Sequence, residues 1–424
     1  MEKSTGLLAN QLEQKERKTR AIYISTYLPR KCGIASFTKD LTNAINVLNP
    51  TNLVEIMAVT KDASEDFPWE VKFKIREQEP KTYLDAANYL NSSSADVINL
   101  QHEFGIFGGV DGEYILQLTS SITKPLITTL HTVLTNPNPN QLRITRKLAS
   151  QSEAVIVMVE SARQNLINTF GIEEDKIVVV HHGVPDIPYG SEAYFKEELG
   201  LGPRPVIAAI NLLSANKGLE YVLEAMPEVI KKFPNLLYLI IGQTHPEVLK
   251  QEGEKYRDFL QTTVKKLGLE KNVQFINEYV ALDDLVDYLR ATDIYVTPYL
   301  DPQQTSSGTL AYALGAGKVC ISTKYLYAKE VLADNRGILI PFRDSQAIAK
   351  EILGVLQNHN LMEGYKNAAY NFGRLMIWPQ VALQSLDLMR LIEQKRVQRA
   401  LIASKAGFSK PASPALRGKY EPVS

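Results

Sequence analysis

Short runs of β-branched and other apolar residues alternate with amphipathic helical patterns along most of the chain. In the first half, the apolar runs fall at residues 22–26, 54–60, 97–100, 126–130, 154–159 and 177–181. Helical patterns lie between them, at residues 37–48, 83–90, 141–150 and 162–170. Strands that are apolar throughout and alternate with helices are typical of parallel sheets covered on both faces. The pattern therefore predicts an α/β fold.

The same alternation starts again in the second half of the chain. The predicted strands there are residues 206–210, 237–241, 273–276, 294–296, 319–322 and 338–340, and the predicted helices are residues 219–232, 247–267, 282–290 and 346–357. Two clusters of Gly and Pro, at residues 183–190 and 200–203, separate the halves and mark a linker. We predict two doubly wound domains, residues 20–188 and 189–375. In such sheets ligands bind outside the carboxyl ends of the strands, so we expect a site between the domains.

Composition excludes several classes of protein. The 47 Lys and Arg residues balance the 47 Asp and Glu residues, whereas a nucleic-acid-binding protein carries a basic excess, so we expect no nucleic-acid partner. Cys32 and Cys320 are too few for a disulfide framework or a Cys-based zinc site, which fits a reducing compartment. No apolar run approaches the ~18 residues of a membrane span. We therefore expect a cytoplasmic protein.

Polar segments flank the predicted domains. Residues 1–19 have no apolar core of signal-peptide length and are interpreted as a polar tail. Residues 404–424 mix Ser, Pro, Lys and Gly and are interpreted as a loose tail. A solvated tail is the favoured interpretation, and weak peripheral contact with an anionic membrane surface is the alternative.

Two loops that follow predicted strands in the second half suit an anion. Lys217 lies at the start of a predicted helix, where the helix dipole disfavours a cation unless a bound anion such as phosphate is present. Ser306, Ser307, Gly308 and Thr309 precede another helix, where hydroxyls cap and free N–H groups bind anions. An exposed lysine and an ordinary N-cap are the plain alternatives. Together the two loops favour a diphosphate site.

Loops of the first half supply the other candidates. Gly33, in the first loop after a strand, would let a ligand approach the backbone. His102 and Glu103 follow one predicted strand and His131 ends the next, which indicates hydroxyl recognition or general acid–base chemistry. Hydrogen-bonded structural histidines are an equal alternative, and His181 is interpreted as one. No spacing of His, Asp and Glu resembles a metal site, so we expect none.

Several segments resemble one family of enzymes. Lys217 within SANKGLEYVLEAMPEVIKKFPNLLYLIIG, and SSGTLAYALGAGKVCIST with Glu330, are similar to the donor site of retaining family 4 (group 1) glycosyltransferases. CGIASFTKDL and QHEFGIFGG resemble a bacterial branch of that family. The resemblance covers about residues 19–399. It implies the GT-B fold, in which two Rossmann-like domains face each other and a C-terminal helix, here residues 376–403, crosses back onto the first domain.

The resemblance also implies an activity, the metal-independent transfer of a sugar from a UDP- or GDP-sugar to a hydroxyl with retention of configuration. The acceptor would be a carbohydrate or glycolipid, and no cofactor beyond the nucleotide sugar is expected. Lys217 and the N–H groups of Ser307, Gly308 and Thr309 would stabilise the leaving diphosphate. The full expected set is, for catalysis, His131, Lys217 and Glu103; for the donor, Gly33, Lys217, Ser306, Ser307, Gly308, Thr309 and Glu330; for the acceptor, His102, Glu103 and His131.

The chain departs from the family pattern at three positions. The Arg that usually lies five residues before the Lys is Leu212 here, and the paired glutamates fall on Gln303 and Ala311. Because alanine cannot hold a ribose, we predict Glu330 as the substitute. Two alternatives stay open: a GT-B disaccharide phosphorylase that uses inorganic phosphate, and a catalytically inactive sugar-binding homologue.

Overall fold

The computed structural model describes residues 19–62, 64–190 and 192–406, with side chains up to residue 399. The predicted tails lie outside this part of the chain, apart from residue 19 and residues 404–406. Among the described residues, no helix is both long enough and apolar enough to cross a membrane.

The N-terminal domain is built on a seven-stranded sheet in the order β3-β2-β1-β4-β5-β6-β7, and all its pairings are parallel. Its strands are β1 (Ala21–Ser25), β2 (Glu55–Thr60), β3 (Val71–Arg76), β4 (Val97–His102), β5 (Leu126–Leu130), β6 (Ala154–Val157) and β7 (Ile177–Val179). Its helices are α1 (Gly33–Leu48), α2 (Pro80–Ser92), α3 (Ile115–Ser121), α4 (Pro139–Gln151) and α5 (Glu160–Phe170).

The C-terminal domain has a six-stranded parallel sheet in the order β10-β9-β8-β11-β12-β13. Its strands are β8 (Val206–Ile210), β9 (Leu237–Ile241), β10 (Val273–Ile276), β11 (Ile294–Thr297), β12 (Val319–Thr323) and β13 (Ile338–Ile340). Its helices are α6 (Glu192–Glu198), α7 (Leu219–Lys232), α8 (Pro246–Glu252), α9 (Lys255–Leu267), α10 (Leu282–Ala291), α11 (Gly308–Gly315), α12 (Leu326–Val331), α13 (Ser345–Gln357) and α14 (His359–Gly373). The last helix, α15 (Trp378–Ala406), follows this domain in the chain.

These two Rossmann-like sheets confirm the predicted α/β architecture. The central strands read as apolar runs because both of their faces are covered, and every residue of β8 and β9 is buried. The sequence missed the edge strand β3, whose VKFKIR pattern alternates apolar and charged residues. The single helix predicted at residues 247–267 is wrong, because Gly253 has φ +66 and separates α8 from α9.

Helix α15 joins the two domains. The backbone around Val184 bonds to the segment that precedes α15, with Val184 N donating to Met376 O at 2.8 Å and Trp378 N donating to Val184 O at 2.9 Å. The ring of Trp378 then packs against Phe37 on α1, with centroids 5.3 Å apart. A Cβ on Gly183 would lie 2.0 Å from the Trp378 ring, so only glycine fits beneath it. This packing seats the linker against the edge of the interdomain cleft.

Candidate active site

A cavity of about 270 Å³ lies between the carboxyl ends of the two sheets. The strand order reverses between β1 and β4 in one sheet and between β8 and β11 in the other. These switch points are where doubly wound sheets bind ligands. The N-terminal domain lines the cavity with Gly33 and His131, and the C-terminal domain lines it with Ser306, Gly308 and Thr309. The structure therefore brings together five of the residues that the sequence singled out.

The start of α11 opens onto this cavity. Ser307 caps the helix, since its hydroxyl accepts from Leu310 N at 3.4 Å. The side chain is buried, so Ser307 acts here as an ordinary N-cap. A Cβ on Gly308 would lie 3.1 Å from His182 Nε2, so the glycine lets the helix end approach the opposite domain. Free N–H groups at a helix start form a site for an anion.

Lys217 lies beside the cavity and does not line it. It ends a short turn after β8, and Gly218, with φ +64, begins α7. A Cβ on Gly218 would lie 2.3 Å from Pro298 O, so this position requires glycine. The Lys217 ammonium is 4.0 Å from the centroid of the Tyr299 ring. Tyr299 Oη is in turn 3.5 Å from Thr309 Oγ1, so one ring separates the ammonium from the cavity wall.

His131 lies in the opposite wall as a neutral side chain. Burial, together with the neighbouring His182 and His102, lowers its pKa to about 3. Its Nε2 is 2.9 Å from Gln101 Oε1, a carbonyl oxygen that accepts. The neutral ring therefore carries its proton on Nε2, which leaves Nδ1 as an acceptor. Such a nitrogen can accept a hydrogen bond from a hydroxyl.

His102 and Glu103 do not reach the cavity. His102 is fully buried, it packs against Phe104 and Phe107, and neither ring nitrogen has a partner among the described residues. The Glu103 carboxylate accepts from Phe104 N at 2.9 Å and from Thr132 Oγ1 at 2.5 Å, and burial raises its pKa. His102 and Glu103 therefore do not line the cavity beside His131.

Glu330 also lies away from the cavity, which corrects its predicted place beside the donor. Its carboxylate accepts from Glu160 N at 2.6 Å and from Ser161 N at 2.9 Å. These are the first N–H groups of α5, so Glu330 caps a helix of the other domain. The interaction holds the two domains together.

Two neighbouring residues of α11, Ala311 and Tyr312, face different sides of the helix. Ala311 is fully buried in the core, whereas Tyr312 lines the cavity. The Tyr312 hydroxyl donates to Asp40 Oδ2 on α1 at 3.1 Å. Burial raises the pKa of Asp40 to about 6. Tyr312 thus adds a further contact between the domains.

Metal coordination finds no support in the described part of the chain, which holds no group of three His, Cys, Asp or Glu side chains suited to an ion.

Two family models match the chain in succession. The model described as Glycosyltransferase Family 4 matches residues 66–186, and the model described as Glycosyl transferases group 1 matches residues 191–372. The chain belongs to the family 4, group 1 glycosyltransferases.

Curated relatives align with part of this chain. A phosphatidyl-myo-inositol mannosyltransferase of Mycolicibacterium smegmatis is 25% identical over 180 residues, which cover 42% of this chain and 42% of that protein. A D-inositol 3-phosphate glycosyltransferase of Segniliparus rotundus is 27% identical over 163 residues, 35% of each chain. The chain thus spans about two fifths of the length of these curated relatives.

Solved structures resemble this chain over nearly its whole length. Anabaena Alr3699/HepE in complex with UDP superimposes with a TM-score of 0.70 at 15% identity, covering 88% of this chain and 99% of the other. WaaG, a glycosyltransferase involved in lipopolysaccharide biosynthesis, gives a TM-score of 0.61 at 15% identity, covering 87% and 99%. These likenesses show that the two domains adopt the GT-B fold.

Several residues that line the cavity were not predicted from the sequence. They are His182, Asn211, Glu278, Tyr279 and Tyr312. Burial lowers the pKa of His182 to about 4, and its Nδ1 lies 2.7 Å from Gly183 O. Asn211 and Glu278 come directly or almost directly after β8 and β10, so the rule that sites follow strands pointed to both. The sequence did not show which side chains in those loops face inwards.

Proposed function

We propose that this protein transfers a hexose from a UDP- or GDP-sugar to a hydroxyl of a carbohydrate or glycolipid, with retention of configuration. Membership of the family supports glycosyl transfer. The observation that carries the proposal is the start of α11 opening onto a cavity whose opposite wall holds the neutral His131. An anion site and a hydroxyl acceptor thus face each other, as transfer from a diphosphate to a hydroxyl requires.

The leaving diphosphate would bind between α11 and Lys217. The free N–H groups of Gly308 and Thr309 favour negative charge. Lys217 would swing from the Tyr299 ring towards the phosphates on its flexible stem. A partly exposed cation–π contact is worth about 0.5–1 kcal/mol. Hydrogen bonds to charged groups are worth about 1.5–3 kcal/mol, so the diphosphate is the better partner for the ammonium.

The acceptor would bind against the N-terminal domain. His131 Nδ1 can accept from the attacking hydroxyl and orient it, while Gln101 holds the ring through Nε2. Because its pKa is lowered to about 3, the ring stays neutral at physiological pH and adds no positive charge there. The acceptor sugar would then lie beside His131, on the N-terminal side of the cavity.

Incubation of the protein with a panel of UDP- and GDP-sugars and sugar acceptors, with and without EDTA, tests this function. We expect release of UDP or GDP that persists after chelation, and a product whose anomeric configuration, read by NMR, matches that of the donor. Inorganic phosphate consumption with formation of a sugar 1-phosphate would identify a phosphorylase instead. Binding without turnover across the panel would identify an inactive homologue.

A further inference from the structure

Asn211 is a buried amide that lacks a partner. It follows β8 directly, it is 9% exposed, and it lines the cavity. Neither its Nδ2 nor its Oδ1 is bonded to any described residue. Buried polar groups without partners destabilise a protein, so each one needs an explanation. A ligand in the cavity would supply the missing partner.

Backbone contacts fix the position of Asn211 in the chain. Asn211 N donates to Ile241 O at 3.0 Å. Gly242 has φ +133, and a Cβ there would lie 1.9 Å from Asn211 O, so glycine lets the ends of β8 and β9 approach closely. The backbone of Asn211 is therefore fixed at the wall of the cavity.

Glu278 is a second unpaired polar group in the same cavity. It follows β10, its side chain is exposed to the cleft, and it forms no hydrogen bond or ion pair with the described residues. The loop that carries it is tied to the other domain, because Tyr279 Oη lies 3.1 Å from Ser36 Oγ on α1. The carboxylate is therefore available to a ligand at the domain boundary.

The charged side chains that line the cavity indicate which part of a ligand can bind beside Asn211 and Glu278. Within the described part of the chain, no Lys or Arg lines the cavity, and Glu278 is its one acidic residue. A phosphate beside this carboxylate would be repelled. An uncharged group rich in hydroxyls and amide-like edges suits the wall, since a carboxylate accepts from two hydroxyls and an amide both donates and accepts.

We propose that Glu278 and Asn211 bind the nucleoside end of the donor. The Glu278 carboxylate accepts from the 2′ and 3′ hydroxyls of the ribose, and the Asn211 amide bonds to the edge of the base. This assignment rests on the proposed function and deepens it. It gives the ribose a carboxylate in place of Glu330, which caps α5. The diphosphate then extends away from Glu278 towards the start of α11.

Calorimetry with three probes tests the assignment: UDP, its 2′,3′-dideoxy analogue and inorganic pyrophosphate, with GDP replacing UDP if it binds more tightly. We expect Glu278→Gln to weaken UDP about tenfold and to leave the dideoxy analogue and pyrophosphate within about twofold. Asn211→Ala should weaken both nucleotides about tenfold and leave pyrophosphate unchanged. Asp283→Asn and Asn216→Ala, exposed changes of the same chemistry outside the cavity wall, should alter nothing.

A stability measurement separates ligand binding from a structural role. Because its amide has no partner, Asn211→Ala should not lower the unfolding temperature of the ligand-free protein. An equal loss for pyrophosphate, or unchanged UDP and GDP affinity in both variants, overturns the assignment of these residues and leaves the proposed function standing. A wild-type protein that binds neither UDP nor GDP overturns the proposed donor class itself, and the assignment with it.

Discussion

Three histidines buried near the cavity should make the fold sensitive to acid. Burial lowers the pKa of His102 and His131 to about 3 and that of His182 to about 4. In the unfolded chain a histidine has a pKa of about 6.5. The unfolded chain therefore binds more protons between those values. The free energy of unfolding is highest above pH 6.5 and is lost as the pH falls towards 4.

The size of the effect follows from these pKa values. Between pH 7 and pH 5.5, protonation of the unfolded chain costs about 1.3 kcal/mol per histidine, or about 4 kcal/mol for the three together. Asp40 acts in the opposite direction, because burial raises its pKa to about 6 and its proton is bound more tightly in the folded state. Over the same pH interval, Asp40 raises the free energy of unfolding by about 1 kcal/mol. We expect these four groups together to lower the free energy of unfolding by about 3 kcal/mol, a large share of the ~5–15 kcal/mol of a typical domain.

Urea denaturation at pH 7 and pH 5.5 measures this loss, followed by tryptophan fluorescence in a Trp69→Phe background that leaves Trp378 as the single tryptophan. Trp378 reports on the right region because it packs against both Phe37 and His182. His102→Leu removes one titrating ring that has no hydrogen-bond partner among the described residues, so it should reduce the loss between pH 7 and pH 5.5 by about 1.3 kcal/mol. His359→Gln, on an exposed helix position, serves as the control. If His102→Leu keeps the pH dependence of the wild type, the reasoning is refuted.

Two further substitutions test the domain contact and the anion site. Glu330→Gln should weaken the cap on α5 by about 1–2 kcal/mol, because one N–H group loses its charged acceptor, and small-angle scattering should show a larger radius of gyration. UDP and pyrophosphate should lose affinity together, if at all. Lys217→Ala should lower kcat about 10²–10³-fold in donor turnover assays, as expected for a lost charge on the leaving group. Its unfolding free energy should fall by less than about 1 kcal/mol, since the ammonium packs on a ring face and forms no ion pair with the described residues.

Controls and contrary outcomes distinguish these effects from general damage. Lys231→Ala, an exposed change at the end of α7, should leave kcat unaltered. Near-normal kcat in Lys217→Ala would remove Lys217 from the leaving-group site. A loss of UDP affinity in Glu330→Gln with unchanged pyrophosphate affinity and unchanged scattering would restore Glu330 to the ribose.

Much of the fold was readable from local patterns. The predicted strands at residues 126–130, 206–210 and 237–241 match β5, β8 and β9 residue for residue, because strands covered on both faces are apolar throughout. The edge strand β3 escaped because one side of it meets solvent and its pattern alternates. The break between α8 and α9 escaped because a single Gly253 within a helical pattern does not show that the backbone turns left-handed there.

From the sequence, strand direction predicted which loops gather at the site, and it did not predict which of their side chains face the cavity. In a parallel sheet all carboxyl ends lie at one edge, so loops after strands must gather there, and Gly33, His131 and Gly308 do line the cavity. Which side chain of a loop or helix faces inwards depends on the packing of the whole domain. On α11, a step of one residue along the helix changes the side-chain direction, so that Ala311 is buried and Tyr312 lines the cavity.

The sequence by itself thus determined the α/β alternation, the two sheets, the family and the edge at which the site lies, because each depends on local periodicity or on motifs contiguous in the chain. Tertiary structure decided the partners. In the folded protein, Glu330 accepts from the N–H groups of α5 and His102 is buried against its own loop. Asn211 and Glu278 line the cavity, and their side chains form no hydrogen bond with the described residues. These outcomes depend on how one domain packs against the other, and that packing joins residues far apart in the chain through contacts that no local pattern encodes.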